Sequence, residues 1–236
     1  MSGPGPKLTV QKLARMMDLS AVRADVDLAE VGRLSAAARQ YHCVCAFVLP
    51  CYFAALKALL ASAPEVGVGG VVGFPSGAHR TSIKVAEARE QLEEGAVELD
   101  MVINVGMLRS GRDGFVEDDI RAVVEAAGTV PVKVILEAHY LTDAEIVRGS
   151  QLAVRAGAAF VKTGTGWAPT GATLENVRLI KSAVGAAARV KAAGGVRDLK
   201  TIVEMIRLGV DRFGVGLATG TKILEECAAF PDGIDL

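Results

Sequence analysis

The chain has 236 residues, of which 51% are hydrophobic and 22% charged, and this balance excludes an intrinsically disordered protein. The length suits one large α/β domain with a sizeable core, and the formal net charge of -1 lacks the basic excess of a nucleic-acid-binding protein. The apolar runs are far shorter than the ~20 residues of a membrane helix, so we expect no membrane partner and a cytoplasmic location.

Residues 1–6 are rich in Gly and Pro and lack an apolar signal core, so we predict a disordered N-terminus. Residues 7–236 show no linker or break in composition and are predicted to form one domain. A short N-terminal helix is predicted in LTVQKLARMM, the sequence that opens this domain.

From there, short β-branched runs alternate with longer stretches rich in Ala, Leu, Arg and Glu, which is typical of parallel strands joined by crossover helices. The predicted strands are 17–21, 44–49, 67–74, 97–104, 130–138, 158–164, 188–194 and 211–216. The predicted helices between and after them include 28–41, with Asp27 as N-cap, and 52–62, 82–94, 114–127, 142–155, 174–184, 199–208 and 219–228.

Eight strand-helix units are the number that closes a (β/α)8 TIM barrel, and this is the fold that we predict. A doubly wound open sheet is the alternative. It usually carries a glycine-rich turn after its first strand, and this chain has none there.

Charged residues interrupt four of the predicted strands, where a barrel normally has bulky apolar side chains. They are Asp100, Lys133, Lys162 and Lys191, in the fourth to seventh strands. Asp100, Lys162 and Lys191 are placed to lie near the carboxyl ends of their strands, where barrel active sites are built. A structural ion pair or an outward position would explain any single one, but three that converge at one rim favour a functional site. For Lys133, an electrostatic role behind the site and an outward position stay equally open.

Two lysines and a carboxylate suggest amine chemistry. A free lysine has a pKa of about 10.4 and is protonated at neutral pH. A second ammonium group ~5 Å away costs the charged form about 3 kcal/mol, which corresponds to roughly two pKa units, and burial acts in the same direction. We therefore expect one lysine to be substantially neutral near pH 7, with Lys162 as the nucleophile of a Schiff base and Asp100 moving protons directly or through a water.

The remaining metal-binding residue types do not form a pattern. Cys43, Cys45, Cys51 and Cys227 include no second ligand pair with zinc-like spacing, so we expect reduced, partly buried thiols and no metal site. His139 follows the fifth predicted strand and is expected to be a surface loop residue. Arg80 and Arg109 are expected to be solvated, and Trp167 either walls the pocket or packs on the next helix.

Six blocks, in order and in register, resemble the deoxyribose-phosphate aldolase family over nearly the whole chain. They are MDLS (17–20), VGFPSG (72–77), VELDMVINVGMLRSG (97–111), KVILEAHYLTD (133–143), FVKTGTGWAPTGAT (160–173) and KAAGGVRD (191–198). The resemblance implies a reversible class I aldol reaction in which acetaldehyde and glyceraldehyde 3-phosphate give 2-deoxyribose 5-phosphate, without a metal or organic cofactor. It also implies a small-molecule substrate. Family members are often homodimers, and the sequence leaves the oligomeric state open.

Carried over to this chain, the resemblance makes Lys162 the Schiff-base lysine, Lys191 the lysine that tunes it and Asp100 the proton relay. Asp18 and Ser20 match residues near the substrate hydroxyl groups. The further substrate-binding candidates are Lys133, Thr165, Gly166, Gly194, Gly195, Gly214 and Gly216, the last four at the loops after the seventh and eighth strands, where barrel phosphates usually bind.

The sequence departs from the family pattern around this phosphate region. GVGL (214–217) stands where the family usually has Gly-x-Ser-Ser, so both hydroxyl donors are missing, although Thr219 can replace one. Gly164 replaces a common Ser, Phe47 a common Cys, and the tail PDGIDL lacks the tyrosine of some members. Three hypotheses follow: an ordinary deoxyribose-phosphate aldolase, a related Schiff-base aldolase with a different, unphosphorylated acceptor, and a non-catalytic phosphate-binding barrel. For Gly214 and Gly216, a role as turn formers alone is as well supported as phosphate binding.

Overall fold

The structure is a computed structural model that describes residues 6–236. The predicted disordered segment therefore lies outside the described residues, except for Pro6. The carbonyl oxygen of Pro6 accepts a hydrogen bond from the backbone N–H of Leu236 at 3.1 Å. The N-terminal and C-terminal segments are therefore hydrogen-bonded to each other at Pro6.

Eight parallel strands form a closed barrel in sequential order, which confirms the predicted fold and rules out the open sheet. The barrel strands are β2 (Met17–Ala21), β3 (Cys45–Val48), β4 (Gly67–Val72), β5 (Glu98–Val102), β6 (Val132–Ile135), β7 (Phe160–Lys162), β8 (Arg189–Ala193) and β9 (Arg212–Gly216). They are preceded by β1 (Lys7–Leu8) and followed by β10 (Ile234–Asp235), which pair with each other as a small antiparallel sheet. The sequence did not predict this sheet, because two-residue strands carry no periodic signal.

Helices follow the barrel strands and cover the barrel. They are α1 (Val10–Ala14), α2 (Leu28–Tyr41), α3 (Phe53–Leu60), α4 (Thr81–Glu93), α5 (Val105–Arg109), α6 (Asp113–Ala127), α7 (Asp143–Arg155), α8 (Leu174–Val184), α9 (Leu199–Arg207) and α10 (Leu217–Ala228). The predicted cap of α2 is confirmed, since the Asp27 carboxylate accepts from the backbone N–H of Glu30. Thr142 and Glu145 form a capping box at the start of α7. The helix predicted over 52–62 is confirmed as the slightly shorter α3, whereas the short helix α5 was not predicted.

The main hydrophobic core lies between the strands and the helices and is built chiefly from Leu, Val, Ile and Ala. Inside the barrel, Cys45, Phe47 and Val71 form a small separate apolar cluster. The four cysteines are free thiols, and all but Cys51 are buried. Within residues 6–236, every helix falls short of the combined length and apolarity needed to cross a bilayer.

Candidate active site

Asp100, Lys162 and Lys191 meet inside the barrel, as the sequence predicted. Lys162 and Lys191 are register partners on the adjacent strands β7 and β8. One carboxylate oxygen of Asp100, Oδ2, accepts from both ammonium groups, at 2.7 Å from Lys162 Nζ and 2.6 Å from Lys191 Nζ. Lys162 is 7% exposed, whereas Asp100 and Lys191 are almost fully buried. The two amines are therefore held against one anion, and the most accessible of the three groups is Lys162.

A second set of buried charges lies beside this trio. Lys133 Nζ is 2.9 Å from Asp100 Oδ1 and 2.6 Å from Glu98 Oε2. The Arg212 guanidinium donates to Asp18 at 2.7 Å and to Glu98 at 3.1 Å. Asp18 also pairs with the Lys191 ammonium, at 2.6 Å, so the two sets form one network. Its members are four cations (Lys133, Lys162, Lys191 and Arg212) and three carboxylates (Asp18, Glu98 and Asp100).

Glu98 and Arg212 were missed by the sequence reasoning, although a signal existed. Glu98 precedes Asp100 by two residues on β5, so the period-two alternation of a strand places both on the interior face. On β9, Arg212 likewise precedes Gly214 by two residues, so the two lie on the same face of the strand. Any charged residue inside a barrel strand is a candidate for a buried interior charge. This reasoning was applied only to Asp100, Lys133, Lys162 and Lys191 and not to Glu98 and Arg212.

Lys133 points into the barrel, so the outward position is wrong. Its side chain is fully buried, it contacts Asp100 and Glu98, and it is absent from the lining of the cavity. The expectation that Lys133 binds substrate is therefore not supported by its position. It lies behind the site, where its charge acts on Asp100.

The ring of Phe47 packs against two of the ammonium groups. Its centroid is 4.4 Å from Lys191 Nζ and 4.9 Å from Lys133 Nζ, within the range of a cation–π contact. Phe47 stands where the resemblance places a cysteine, and here it provides an aromatic face for cations instead of a thiol.

Burial lowers the pKa of Lys162 to about 8, with the ammonium groups of Lys191 and Lys133 acting in the same direction and Asp100 against them. Burial alone would raise the pKa of Asp100, but Lys133, Lys162 and Lys191 outweigh it and hold that pKa well below the ordinary value. Lys162 is thus the amine that can lose its proton near neutral pH, while Asp100 remains a carboxylate. With a pKa of about 8, about one tenth of Lys162 is neutral at pH 7, which is less than the sequence argument expected.

A cavity of about 570 Å³ opens above this network. The three catalytic candidates, Asp100, Lys162 and Lys191, are among the residues that line it. The expected substrate-binding residues Asp18, Ser20, Thr165, Gly166, Gly194, Gly195, Gly214 and Gly216 also line it. Every candidate except Lys133 thus lines the cavity, and the structure adds Arg23, Arg33 and Arg197 to the lining.

The region expected to bind phosphate contains the first turn of α10. Gly216 is the N-cap of this helix and offers no side-chain cap, and Leu217, Ala218 and Thr219 line the cavity. Helix N-termini present unpaired backbone N–H groups, which suit an anion. Gly214 and Gly216 both have negative φ, so the turn-former explanation does not account for glycine at these positions. At Gly214 a Cβ would lie 3.0 Å from Lys191 Cε, so glycine leaves room for that lysine.

Glu137 explains the glycine at position 164. Its buried carboxylate accepts from the backbone N–H and the hydroxyl of Thr165. A Cβ at residue 164 would lie 2.8 Å from Glu137 Oε1. A side chain at position 164 would therefore start against this carboxylate, which also holds the loop that follows Lys162.

The other singled-out residues lie as expected at the surface or at the wall. His139 is exposed and its Nδ1 lies 2.7 Å from the Thr170 hydroxyl. Arg80 and Arg109 are exposed. Trp167 lines the cavity rather than packing on the next helix.

One group of metal-ligating residue types occurs in this region. Ligand atoms of Asp18, Cys45 and Glu98 lie within 4.8 Å of one another. The two carboxylates are engaged by Arg212, and burial raises the pKa of the Cys45 thiol well above its ordinary value, which disfavours the thiolate that binds metals. This donor set fits an ion-pair network and does not fit a metal ion.

Known aldolases resemble this chain in sequence and in fold. The model of the DeoC/LacD aldolase family matches residues 12–226. The chain is 48% identical over 230 residues to the deoxyribose-phosphate aldolase of Sinorhizobium medicae (98% of this chain and 93% of that one) and 46% identical over 226 residues to that of Klebsiella pneumoniae (95% and 91%).

Solved structures agree with the sequence relatives. A putative deoxyribose-phosphate aldolase from Coccidioides immitis superposes with a TM-score of 0.88 at 38% identity, covering 94% of this chain and 87% of that one. A deoxyribose phosphate aldolase from Aeropyrum pernix, described as tetrameric, has a TM-score of 0.84 at 30% identity, with 92% of each chain covered. The chain belongs to the DeoC/LacD family of aldolases.

Proposed function

We propose that this aldolase cleaves 2-deoxy-D-ribose 5-phosphate reversibly to acetaldehyde and D-glyceraldehyde 3-phosphate, through a Schiff base on Lys162. The observation that carries the proposal is a buried amine with a pKa of about 8 at the floor of an open cavity, hydrogen-bonded to a carboxylate that it shares with a second lysine. The named relatives support the choice of substrate.

In the cleavage direction, the neutral amine of Lys162 attacks the C1 carbonyl of the open-chain sugar to give a carbinolamine, which loses water to form the Schiff base. Removal of the proton from the C3 hydroxyl then breaks the C2–C3 bond and releases glyceraldehyde 3-phosphate. The electron pair of that bond stays on the donor as an enamine, which is protonated at C2. Hydrolysis frees acetaldehyde and restores Lys162.

We assign the proton relay to Asp100, since its Oδ2 atom accepts from both Lys162 and Lys191. This bridging oxygen is in contact with the amine that must lose and regain protons, which is the position a proton relay requires. Lys191 and Lys133 also keep the pKa of Lys162 low, in addition to the effect of burial. No organic cofactor or metal takes part in this mechanism.

The phosphate is assigned to the rim formed by Gly194, Gly195 and the first turn of α10, with Arg197 nearby. Backbone N–H groups and an arginine can hold a phosphate without serine hydroxyls. The Gly216–Leu217 pair nevertheless favours a second candidate, an aldolase of the same mechanism whose acceptor is not phosphorylated. A non-catalytic phosphate-binding barrel is disfavoured, because a binder gains nothing from three buried lysines around one carboxylate.

The decisive experiment is incubation with acetaldehyde, reduction with borohydride and mapping of the adduct by mass spectrometry. We expect one added ethyl group on Lys162, and none in a Lys162→Arg variant that keeps the positive charge. Folded protein without an adduct would contradict both aldolase hypotheses. Cleavage rates with 2-deoxyribose 5-phosphate and with 2-deoxyribose then separate the phosphorylated from the unphosphorylated acceptor.

The cellular setting remains a set of predictions. The substrate is a small molecule, with no role for nucleic acid or membrane, and a cytoplasmic location is expected. The oligomeric state is open, with a homodimer as one candidate, and light scattering of the purified protein measures it directly.

A further inference from the structure

Trp167, the only tryptophan of the chain, ties together three loops at the mouth of the cavity. Its indole N–H donates to the carbonyl oxygen of Val22 at 2.8 Å, in the segment after β2. Its ring meets that of Phe74, in the segment after β4, edge to face with centroids 6.1 Å apart. Trp167 itself follows β7. The indole therefore reaches from the strand that carries Lys162 to two other parts of the rim.

The backbone that carries the indole is held by hydrogen bonds from the loop after β7. The Thr165 hydroxyl accepts from the backbone N–H of Trp167 at 3.0 Å, and Thr165 is itself held by the buried carboxylate of Glu137. The side chain thus has an anchor at its backbone, one at its N–H and one at its ring edge. Because the N–H is already paired with Val22, the ring offers the cavity a hydrocarbon surface.

Another part of the cavity wall has almost no side chains. It consists of the glycine backbone at Gly194, Gly195, Gly214 and Gly216, next to the first turn of α10. A substrate that extends from Lys162 towards that turn runs along this backbone. Trp167 and Phe74 line the same cavity, and their rings meet edge to face at its mouth. The indole is therefore a bulky group in a cavity whose wall is otherwise largely backbone in this region.

We propose that Trp167 is a specificity-determining residue, which admits acceptor aldehydes with a CHOH carbon next to the carbonyl and excludes those with a quaternary carbon there. The inference rests on the proposed function, because it concerns the acceptor of the same reaction. An acceptor with a CHOH carbon at that position fits between the indole and the glycine backbone. A quaternary carbon at that position meets the ring.

The test uses 2,2-dimethylpropanal as the acceptor and acetaldehyde as the donor. The branched aldehyde has no hydrogen next to its carbonyl, so it cannot form an enamine and acts only as the acceptor. The enamine carbon of acetaldehyde bonds to its carbonyl carbon, the carbonyl oxygen takes up a proton, and water releases the product from Lys162. The quantity measured is the ratio of kcat/KM for 2,2-dimethylpropanal to kcat/KM for glyceraldehyde 3-phosphate.

In Trp167→Ala we expect this ratio to rise by about tenfold or more, the scale of one misfitting methyl or methylene group in a pocket. Trp167→Phe, which keeps a smaller ring, is expected to give a smaller rise. Phe230→Ala is the matched control, because Phe230 is 52% exposed, compared with 46% for Trp167, and is not among the residues that line the cavity. Its ratio should equal that of the wild type.

Borohydride trapping of acetaldehyde separates the two proposals. A wild-type protein without an adduct on Lys162 overturns the proposed function. An adduct in every variant together with an unchanged ratio in Trp167→Ala overturns only the role of Trp167. If Trp167→Ala does not fold, Trp167→Phe decides, since an unchanged ratio there also overturns the role. A second readout is the tryptophan fluorescence of the wild type, which should change saturably as glyceraldehyde 3-phosphate is added. No change at concentrations that saturate the aldol rate would also contradict the proposed role of Trp167.

Discussion

Lys162 differs from an ordinary lysine because of where it lies more than because of any one neighbour. Burial is the main cause that lowers its pKa to about 8, and Lys191 and Lys133 add to it against the opposing effect of Asp100. The sequence argument had put the repulsion between two ammonium groups first. It identified residues that the structure does bring together, but it put the causes of the lowered pKa in the wrong order, because the depth of a side chain cannot be read from a strand pattern.

The pH dependence of kcat/KM reports this pKa in the free enzyme. The nucleophile is the neutral amine, so kcat/KM should rise with pH and level off above about 8, if deprotonation of Lys162 limits Schiff-base formation. In Lys191→Met the acid limb should move to higher pH. A positive charge that disfavours the Lys162 ammonium is lost, and Asp100 is left to stabilise that ammonium alone.

The measurement is a pH profile of 2-deoxyribose 5-phosphate cleavage for the wild type, Lys191→Met and Lys200→Met. Lys200 is an exposed lysine of α9, so removing its charge controls for a general change in net charge. The limb of Lys200→Met should coincide with that of the wild type. A limb in Lys191→Met that stays in place or moves to lower pH would show that Lys191 does not tune the nucleophile.

Whether a site residue could be predicted depends on whether the signal for it lies within a short window of sequence. Asp100, Lys162 and Lys191 could be predicted, because a charge inside an apolar strand is visible in a window of a few residues. The ion pairs of Arg212 with Asp18 and Glu98 could not, since they join strands far apart in the chain whose relative heights depend on the closed barrel. The same holds for Glu137, whose partner Thr165 follows the next strand.

At the scale of elements, helix and strand positions were predictable to within a few residues where the hydrophobic period was clear. Strand β2 and helix α8 have the predicted bounds, and the predicted strand 158–164 shortens to Phe160–Lys162. Residues beyond a strand end keep a strand-like composition, but the chain there turns into loops that line the cavity. The short helix α5 was not predicted, because five residues carry too little periodicity.

The neighbouring strands β3 and β4 contain a pair of residues that must be considered together. Phe47 and Gly69 are register partners, and a Cβ on Gly69 would overlap the Phe47 ring. The absence of a side chain on β4 is what allows an aromatic ring to lie on the interior face of β3 and contact Lys191 and Lys133. The large residue at 47 thus requires the glycine at 69.

This pairing predicts a non-additive result in a double-mutant cycle. Gly69→Ala should lower the free energy of unfolding by about 1–3 kcal/mol, the usual cost of overpacking a core. Phe47→Leu should also destabilise, by creating space. In Phe47→Leu/Gly69→Ala the added methyl group fills part of that space, so the double variant should be more stable than the sum of the single effects predicts.

Urea denaturation of the four proteins gives the coupling free energy. The matched control is Gly32→Ala in α2, where a Cβ has no heavy atom within 4 Å outside the local helix backbone and where Ala is a better helix former. Its effect should add to that of Phe47→Leu. Additive effects for Gly69→Ala would mean that the ring can move aside without loss.

For the whole molecule, closure of the barrel is what makes the charge arrangement possible. The network takes residues from β2, β5, β6, β7, β8 and β9, which come together only when the sheet is closed. Four cations face three carboxylates, so the buried network carries one excess positive charge when every group is ionised. Loss of the Lys162 proton leaves three charges of each sign. The fold as a whole therefore favours the neutral form of the one lysine that faces the cavity.

The two ends of the described chain meet away from the cavity and are expected to contribute stability without activity. Ile234 and Asp235 pair with β1, and Arg207 donates to the carbonyl oxygen of Asp235 at 2.9 Å. None of these residues lines the cavity. Deletion of residues 231–236 should therefore lower Tm, by about 2–4 °C for each kcal/mol lost, and leave kcat unchanged at temperatures where the variant is folded.

Asp235→Ala is the control, because it removes an exposed side chain and keeps the backbone pairing, so its Tm should match the wild type. A folded deletion variant with strongly reduced kcat would show that the tail acts on the active site, and thermal scans with kcat measured well below Tm distinguish the two outcomes.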